Sequence, residues 1–167
     1  MHKNADFWIN HLQLQAHPEG GYFREIYRSK GFIPQTALGT TYGGNRPYST
    51  SIYFLLKSDN FSAFHRLASD EIWHFYEGSG IHIHCISPEG NYFIEKIGKQ
   101  PEKEEVFQVV IPAFTWFAAE VPEIGAYGLV GCAVAPGFDF ADFEMAQTEA
   151  LQKKYPQHEG IIKRLCR

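Results

Sequence analysis

Residues 64–78 read Phe-His-Arg-Leu-Ala-Ser-Asp-Glu-Ile-Trp-His-Phe-Tyr-Glu-Gly, and this stretch decides the fold that we predict. A turn-like Ala-Ser-Asp break separates two strand-like halves, Phe61–Arg66 and Glu71–Glu77. Side chains alternate between the two faces of a strand, so a β-hairpin can bring His65 and Glu71 together on one face. An imidazole and a carboxylate that face each other in an apolar pocket indicate either a metal site or an acid–base pair.

Short strand-like segments continue on both sides of this hairpin. They are Tyr22–Ser29, Ser49–Lys57, Ile81–Ile86, Tyr92–Ile97, Val106–Ile111, Thr115–Glu120 and Tyr127–Ala135. Turn-rich separators recur at roughly 8–12-residue spacing, which is typical of an all-β sandwich or barrel. Helices are predicted only near the two ends, over Asn4–Gln13, Thr148–Tyr155 and His158–Leu165.

Length and composition set further limits. The 167 residues predict one domain over 1–167, with the barrel at about 21–145 and C-terminal helices at about 146–166. Hydrophobic residues make up 44% and aromatic residues 16%, which fits a packed β-rich fold. The net charge is −4 without a basic stripe, so we expect no nucleic-acid partner. The apolar runs are too short for a membrane span and no signal-like segment opens the chain, so we expect a cytoplasmic protein.

The central stretch resembles the first motif of the cupin superfamily, G-x5-H-x-H-x3,4-E-x6-G. His65, Glu71 and Gly78 match the spacing of the first His, the Glu and the last Gly of that motif. The resemblance implies a single double-stranded β-helix barrel of the jelly-roll type. Nearly the whole chain is similar to an uncharacterised cupin group, in the segments 19–25, 51–56, 64–75, 111–117 and 130–144.

Two positions depart from the metal-binding cupins. The second His of the first motif is Leu67, and the His of the second motif, which residues 111–117 resemble, falls at Phe117. Cupin metal sites normally use three His and one Glu, and neither replacement can ligate a metal. The sequence therefore predicts no metal and no other cofactor.

A shorter resemblance involves Gly-Tyr-Phe-Arg-Glu-Ile-Tyr at 21–27, which is similar to a strand of the dehydrorhamnose epimerases, a metal-free group of cupins. The resemblance implies that Phe23 and Glu25 help to hold a sugar nucleotide, although the Arg that precedes them in those enzymes is Gly20 here. Those epimerases use a His on an early barrel strand as base, and His65 occupies a comparable place.

We therefore predict a site inside the barrel with His65 and Glu71 as catalytic residues. The predicted ligand-binding residues are Phe23, Arg24, Glu25, Trp73 and Trp116. The alternatives are that His65 is a buried His satisfied by a backbone carbonyl and that the tryptophans belong to the core. The expected ligand is a small polar molecule, sugar-like or keto-acid-like.

Three functions remain open at this point. The first is a metal-independent isomerase or epimerase, the second a non-catalytic binding protein, and the third a metal-dependent cupin enzyme. The aromatic strand at 22–29 would leave an open sheet edge, which predicts a homodimer. His82 and His84 share a strand with apolar residues and are predicted to face away from the core. The segment 30–48 is predicted to be either a lid or an insertion without a catalytic role.

Overall fold

The computed structural model describes residues 3–167, and short strands are its main regular structure. The strands are β1 (Gln15–Ala16), β2 (Tyr22–Arg28), β3 (Phe32–Ile33), β4 (Arg46–Pro47), β5 (Thr50–Lys57), β6 (Phe61–Leu67), β7 (Asp70–Gly78), β8 (Ile81–Ile86), β9 (Tyr92–Ile97), β10 (Gln108–Ile111), β11 (Trp116–Glu120), β12 (Tyr127–Ala135) and β13 (Phe143–Met145). The helices are α1 (Ala5–His11), α2 (Gln35–Leu38), α3 (Thr148–Lys154) and α4 (Glu159–Leu165). The predicted all-β fold with short helices near both ends is confirmed. Within residues 3–167, no helix is long and apolar enough to cross a membrane.

Two antiparallel sheets form the body of the molecule. One has six strands in the order β1-β2-β5-β12-β7-β10, and the other has five in the order β13-β6-β11-β8-β9. The two sheets are hydrogen-bonded separately, so the jelly roll is a sandwich and not a continuously closed barrel. Strands β6 and β7, which carry the hairpin predicted from residues 64–78, end up in different sheets.

The space between the sheets is filled by apolar side chains from alternate strand positions. On β8, Ile81, Ile83 and Cys85 are fully buried in this main core, together with Phe54 and Trp73 of the opposite sheet. His82 and His84 point to the other face, as their alternation with the apolar residues predicts. That outer face is not open at His84, however, because its ring is buried and contacts Glu120 through Nε2 at 3.0 Å.

A second apolar cluster lies outside the sandwich, where α3 and α4 cover the five-stranded sheet. Trp116 belongs to this cluster, with Leu151 of α3 and Ile162 of α4. Its neighbour Phe117 belongs instead to the main core, because adjacent residues on a strand point to opposite faces. The prediction that Trp116 lies inside the barrel beside His65 is therefore wrong.

The segment 30–48 contains β3, α2 and β4, so it is partly ordered into regular structure. Arg46 anchors it through two hydrogen bonds to Asp142, from Nε to Oδ2 at 2.5 Å and from Nη2 to Oδ1 at 2.6 Å. Because this pair is buried, the segment fixes the position of the chain just before β13.

Candidate functional site

A cavity of about 90 Å³ opens between the two sheets. This volume holds roughly six water-sized groups, so it suits a small organic molecule. One end of the cavity is polar and carries His17, Glu19, His65 and Glu71. The aromatic residues along the remaining wall are Phe23, Phe54, Trp73, Phe138, Phe140 and Phe143.

Most of the predicted site residues line this cavity, namely Phe23, Glu25, His65, Glu71 and Trp73. Arg24 does not belong with them. It is exposed, and its Nη1 donates to the carbonyl oxygen of Leu12 at 3.1 Å. The physical reason is again strand alternation, since Phe23 and Glu25 face the cavity and the residue between them cannot.

His65 is held by Glu19, a residue that the sequence reasoning did not single out. Nε2 of His65 lies 3.0 Å from Oε2 of Glu19, and both side chains are buried. The other oxygen of Glu19 accepts a hydrogen bond from the Ser62 hydroxyl at 2.9 Å. The predicted contact, in which Glu71 orients His65, is thus made by a different carboxylate.

The tight turn after Glu19 explains how a residue outside the strands reaches this position. Gly20 and Gly21 have φ values of 114° and 75°, which side chains rarely adopt. A Cβ atom on Gly20 would lie only 2.1 Å from the carbonyl oxygen of Phe61. The close approach also lets the N–H of Ala63 donate to the Glu19 carbonyl at 2.8 Å, which pins the turn to β6.

The hydrogen bonds of His65 indicate that it is an imidazolium. Its Nδ1 lies 2.7 Å from the carbonyl oxygen of Ala63, which only accepts, so Nδ1 carries a proton. Burial alone would lower the pKa of His65, but the charge and hydrogen bond of Glu19 raise it overall. Burial would likewise raise the pKa of Glu19, and the attraction of His65 lowers it. The two side chains therefore form a buried ion pair at neutral pH.

Glu71 is a different kind of carboxylate. Its Oε2 accepts a hydrogen bond from Nε1 of Trp73 at 2.9 Å, and Oε1 has no donor among residues 3–167. Burial, followed by the negative charge of Glu19, raises the pKa of Glu71 from the ordinary 4.5 to about 7. A carboxyl group with this pKa gains and loses a proton readily near neutral pH.

His17 is the second residue that the sequence reasoning missed. The backbone N–H of Glu19 donates to its Nδ1 at 3.3 Å, so Nδ1 is unprotonated and the ring is neutral. Burial lowers the pKa of His17, which agrees with this tautomer. The remaining proton lies on Nε2, and His17 is part of the cavity wall. Both missed residues lie in His-Pro-Glu-Gly-Gly at 17–21, where the two glycines are typical of a turn but do not show what that turn approaches.

The side chains do not fit a cupin metal centre. Phe117 packs on His65 with 4.1 Å between the ring centroids, and Leu67 forms part of the cavity wall. Within residues 3–167, no group of three or more His, Cys, Asp and Glu side chains is arranged to hold a metal ion. The two apolar residues thus occupy the positions that would have supplied the missing ligands.

Arg28 and Phe138 also line the cavity. Nε and Nη2 of Arg28 donate to the two oxygens of Glu25 at 2.9 and 2.7 Å. Its Nη1 donates to the carbonyl oxygen of Phe138 at 3.0 Å. Every nitrogen of this guanidinium therefore already has a partner.

Comparison with known proteins places this site in an uncharacterised family. Residues 6–146 match the family described as Cupin superfamily (DUF985). The chain is 32% identical over 150 residues to the uncharacterised protein YML079W of Saccharomyces cerevisiae, covering 84% of this chain and 74% of that protein. A crystal structure of protein SO0799 from Shewanella oneidensis is 38% identical, with a TM-score of 0.88 and 99% of both chains covered. A hypothetical protein from Leishmania major is 35% identical, with the same TM-score and 98% of both chains covered.

A more distant likeness extends to an oxalate decarboxylase of Bacillus subtilis. The identity is 16% and the TM-score 0.54, with 90% of this chain and 36% of the decarboxylase covered. A similarity at this level concerns the fold alone.

Proposed function

The chain belongs to the cupin family DUF985, and we propose that its cavity binds a small polar molecule and moves a proton on it without a metal, as an isomerase or epimerase. The observation that carries the proposal is Glu71, a buried carboxyl group with a pKa of about 7 and one oxygen free of protein donors. A general base works best when its pKa lies near the operating pH.

The proposed reaction begins with the removal of a proton from a carbon next to a carbonyl group. Glu71 accepts that proton, and the electron pair of the broken C–H bond moves onto the carbonyl oxygen to form an enolate. In one course, solvent delivers a proton to the opposite face of the enolate, and Glu71 then loses its proton to solvent. In the other, the deprotonated carbon carries a hydroxyl group whose proton moves to the enolate oxygen, and Glu71 returns its proton to the former carbonyl carbon. The first outcome is an epimer and the second an isomer, and no oxidant or reductant is consumed in either.

The remaining polar side chains suit the negative charge that develops on oxygen. The neutral ring of His17 offers a donor at Nε2, and the imidazolium of His65 provides a fixed positive charge. Such groups stabilise charge most strongly where water is excluded, and the aromatic wall provides that surrounding. Both ring nitrogens of His65 already have hydrogen-bond partners. His65 therefore acts in this scheme through its fixed positive charge, and it remains essential for that reason.

The size of the cavity restricts the substrate. Room for roughly six water-sized groups accepts a short hydroxyketone or hydroxyaldehyde but not a complete sugar nucleotide. If a sugar nucleotide binds, only part of its sugar enters the cavity and the nucleotide lies outside.

A non-catalytic binding protein is the second candidate, and one observation favours it. His65 has no free ring nitrogen, which is typical of a buried His that is satisfied structurally. In that case Glu71 recognises a ligand without transferring a proton.

Exchange of carbon-bound hydrogen for deuterium distinguishes the two functions. The protein is incubated in D₂O with hydroxyacetone and dihydroxyacetone, and loss of the carbon-bound proton signal is followed by NMR. An enzyme exchanges these protons faster than buffer does, and Glu71→Gln removes the acceleration. Glu77→Gln, an exposed position on the same strand, is the matched control and keeps the wild-type rate.

A melting-shift screen accompanies the exchange measurement. Sugar nucleotides, keto acids and purine catabolites are tested on wild type, His65→Ala and Glu71→Ala. Ligands that stabilise wild type and both variants equally would contradict this assignment of the site. Ligands that need both residues, combined with no exchange on any carbonyl compound, would establish the binding protein instead.

A further inference from the structure

The charged side chains along the cavity are balanced in pairs except at Glu71. His65 is paired with Glu19 at 3.0 Å, and Arg28 is paired with Glu25 at 2.7 Å. Glu71 has only the neutral Nε1–H of Trp73. Among the residues that the structure describes, an anionic ligand would find no free cation at the cavity wall.

The apolar part of the wall is mainly aromatic. Phe54 and Trp73 meet edge to face with their centroids 5.7 Å apart, and Nε1 of Trp73 donates to Oε2 of Glu71. Phe138, Phe140 and Phe143 pack against one another with centroid distances of 5.0 to 6.1 Å, and the Phe143 ring also lies 5.3 Å from the ring of His65. Aromatic rings attract cations, and the attraction is stronger where the cation is removed from water.

We propose that the ligand of this cavity is a small amine that binds as its ammonium ion, with its nitrogen at Glu71 and its carbon atoms among the aromatic rings. The proposal rests on the proposed function only in sharing its cavity, and it holds whether or not a reaction follows. It predicts that keto acids and other small anions do not bind, because the two cations at the wall, His65 and Arg28, are each already paired with a carboxylate.

Binding of an ammonium ion has a consequence that a neutral ligand lacks. The positive charge favours the ionised form of Glu71, so the carboxyl group releases its proton to solvent when the amine binds. The atoms balance, since the protonated carboxyl and the free ammonium ion become an ion pair and one hydrated proton. Near neutral pH the release is a fraction of one proton per site, and it disappears when Glu71 is already ionised at higher pH.

Isothermal titration calorimetry with three probes of similar shape tests the proposal. The probes are isobutylamine, isobutanol and isobutyrate, measured at about pH 6.5 in two buffers that differ in ionisation enthalpy. We expect the amine to bind about tenfold more tightly than the alcohol or better, with a heat that depends on the buffer. Isobutyrate is expected not to bind.

Two variants test whether Glu71 causes the preference for the amine over the alcohol. Glu71→Gln is expected to bring the affinities for amine and alcohol to within about a factor of two and to remove the buffer dependence. Glu77→Gln, on the exposed face of β7, is expected to keep both. Isobutyrate binding, equal binding of amine and alcohol to wild type, or no binding of any probe would each overturn the proposal. The deuterium-exchange measurement tests the proposed isomerase independently. If the amine binds but no exchange is seen, the isomerase is contradicted and the proposal of an amine ligand is not.

Discussion

Replacing Glu71 by Gln should remove part of the stability that this protein loses as the pH rises. The side chain is 8% exposed, and its pKa is raised from 4.5 to about 7, chiefly by burial. A carboxyl whose pKa is higher in the folded state favours folding when it is protonated. That contribution is present below about pH 4.5 and is lost as the pH rises through about 7. Glu71→Gln keeps the shape of the side chain but does not titrate.

The expected magnitude follows from the two pKa values. Between about pH 5 and about pH 8.5, wild type should lose about 2.5 kcal/mol of unfolding free energy through Glu71. The variant should not lose this amount, so the difference between the two proteins changes by the same 2.5 kcal/mol. For a chain of 167 residues this corresponds to a relative change in Tm of roughly 5 to 10 °C.

Urea denaturation of wild type and Glu71→Gln at both pH values measures the effect. The comparison cancels the groups that do not interact with Glu71. The raised pKa of His65 also makes the protein lose stability as the pH rises through it, and this loss is smaller in the variant because the charge of Glu71 helps to raise that pKa. Glu77→Gln serves as control and should run parallel to wild type. If the stability difference between wild type and Glu71→Gln is the same at both pH values, the carboxyl is not perturbed and the argument for a base at this position fails.

Three further predictions concern the second tryptophan, the metal and the assembly. Trp116→Phe should change stability by less than about 1 kcal/mol and leave ligand-induced melting shifts unchanged, because Nε1 of Trp116 is buried without a partner among residues 3–167 and faces away from the cavity. Trp73→Phe should alter those shifts, since it removes the hydrogen bond to Glu71. Elemental analysis of the purified protein should find no stoichiometric transition metal, and one equivalent that is lost in His65→Ala would revive the metalloenzyme. Light scattering at micromolar concentration should report a dimer that forms through β2, because β1 pairs with the outer edge of β2 at its first two residues and leaves the rest of that edge open among residues 3–167. Ile26→Lys, at a half-exposed position of that edge, should give a monomer. A monomeric wild type would contradict this prediction.

The sequence predicted the strands well because burial on one face imposes a period of two. Ile81, Ile83 and Cys85 alternate with two histidines, and β8 has the predicted bounds at both ends. The same rule explains the error at Trp116. Phe117 stands at the His position of the second cupin motif, and Trp116, as its neighbour on the strand, faces the opposite side of the sheet. The alternation of side chains along a strand is thus a reliable guide to the face on which each side chain lies.

The alternation of side chains along strands could not predict which residue contacts His65. Glu19 is in a turn without periodicity, and its contact with β6 depends on how a distant part of the chain folds back. The glycines at 20 and 21 indicated a backbone conformation but not what it approaches. Only the packed structure shows that Glu19 of this turn, and not Glu71, is the carboxylate that contacts His65.

The apolar replacements at the two cupin ligand positions and the unusual carboxyl group have one physical origin. A divalent cation beside Glu71 would favour its ionised form and hold it as a ligand. With Leu67 and Phe117 in those positions the surroundings become less polar, and burial raises the pKa of Glu71 instead. The nearest positive charge belongs to His65, and Glu19 already neutralises it. The same residues that do not fit a cupin metal centre therefore leave one carboxyl group able to exchange its proton near neutral pH, which is the property that both proposals for this cavity use.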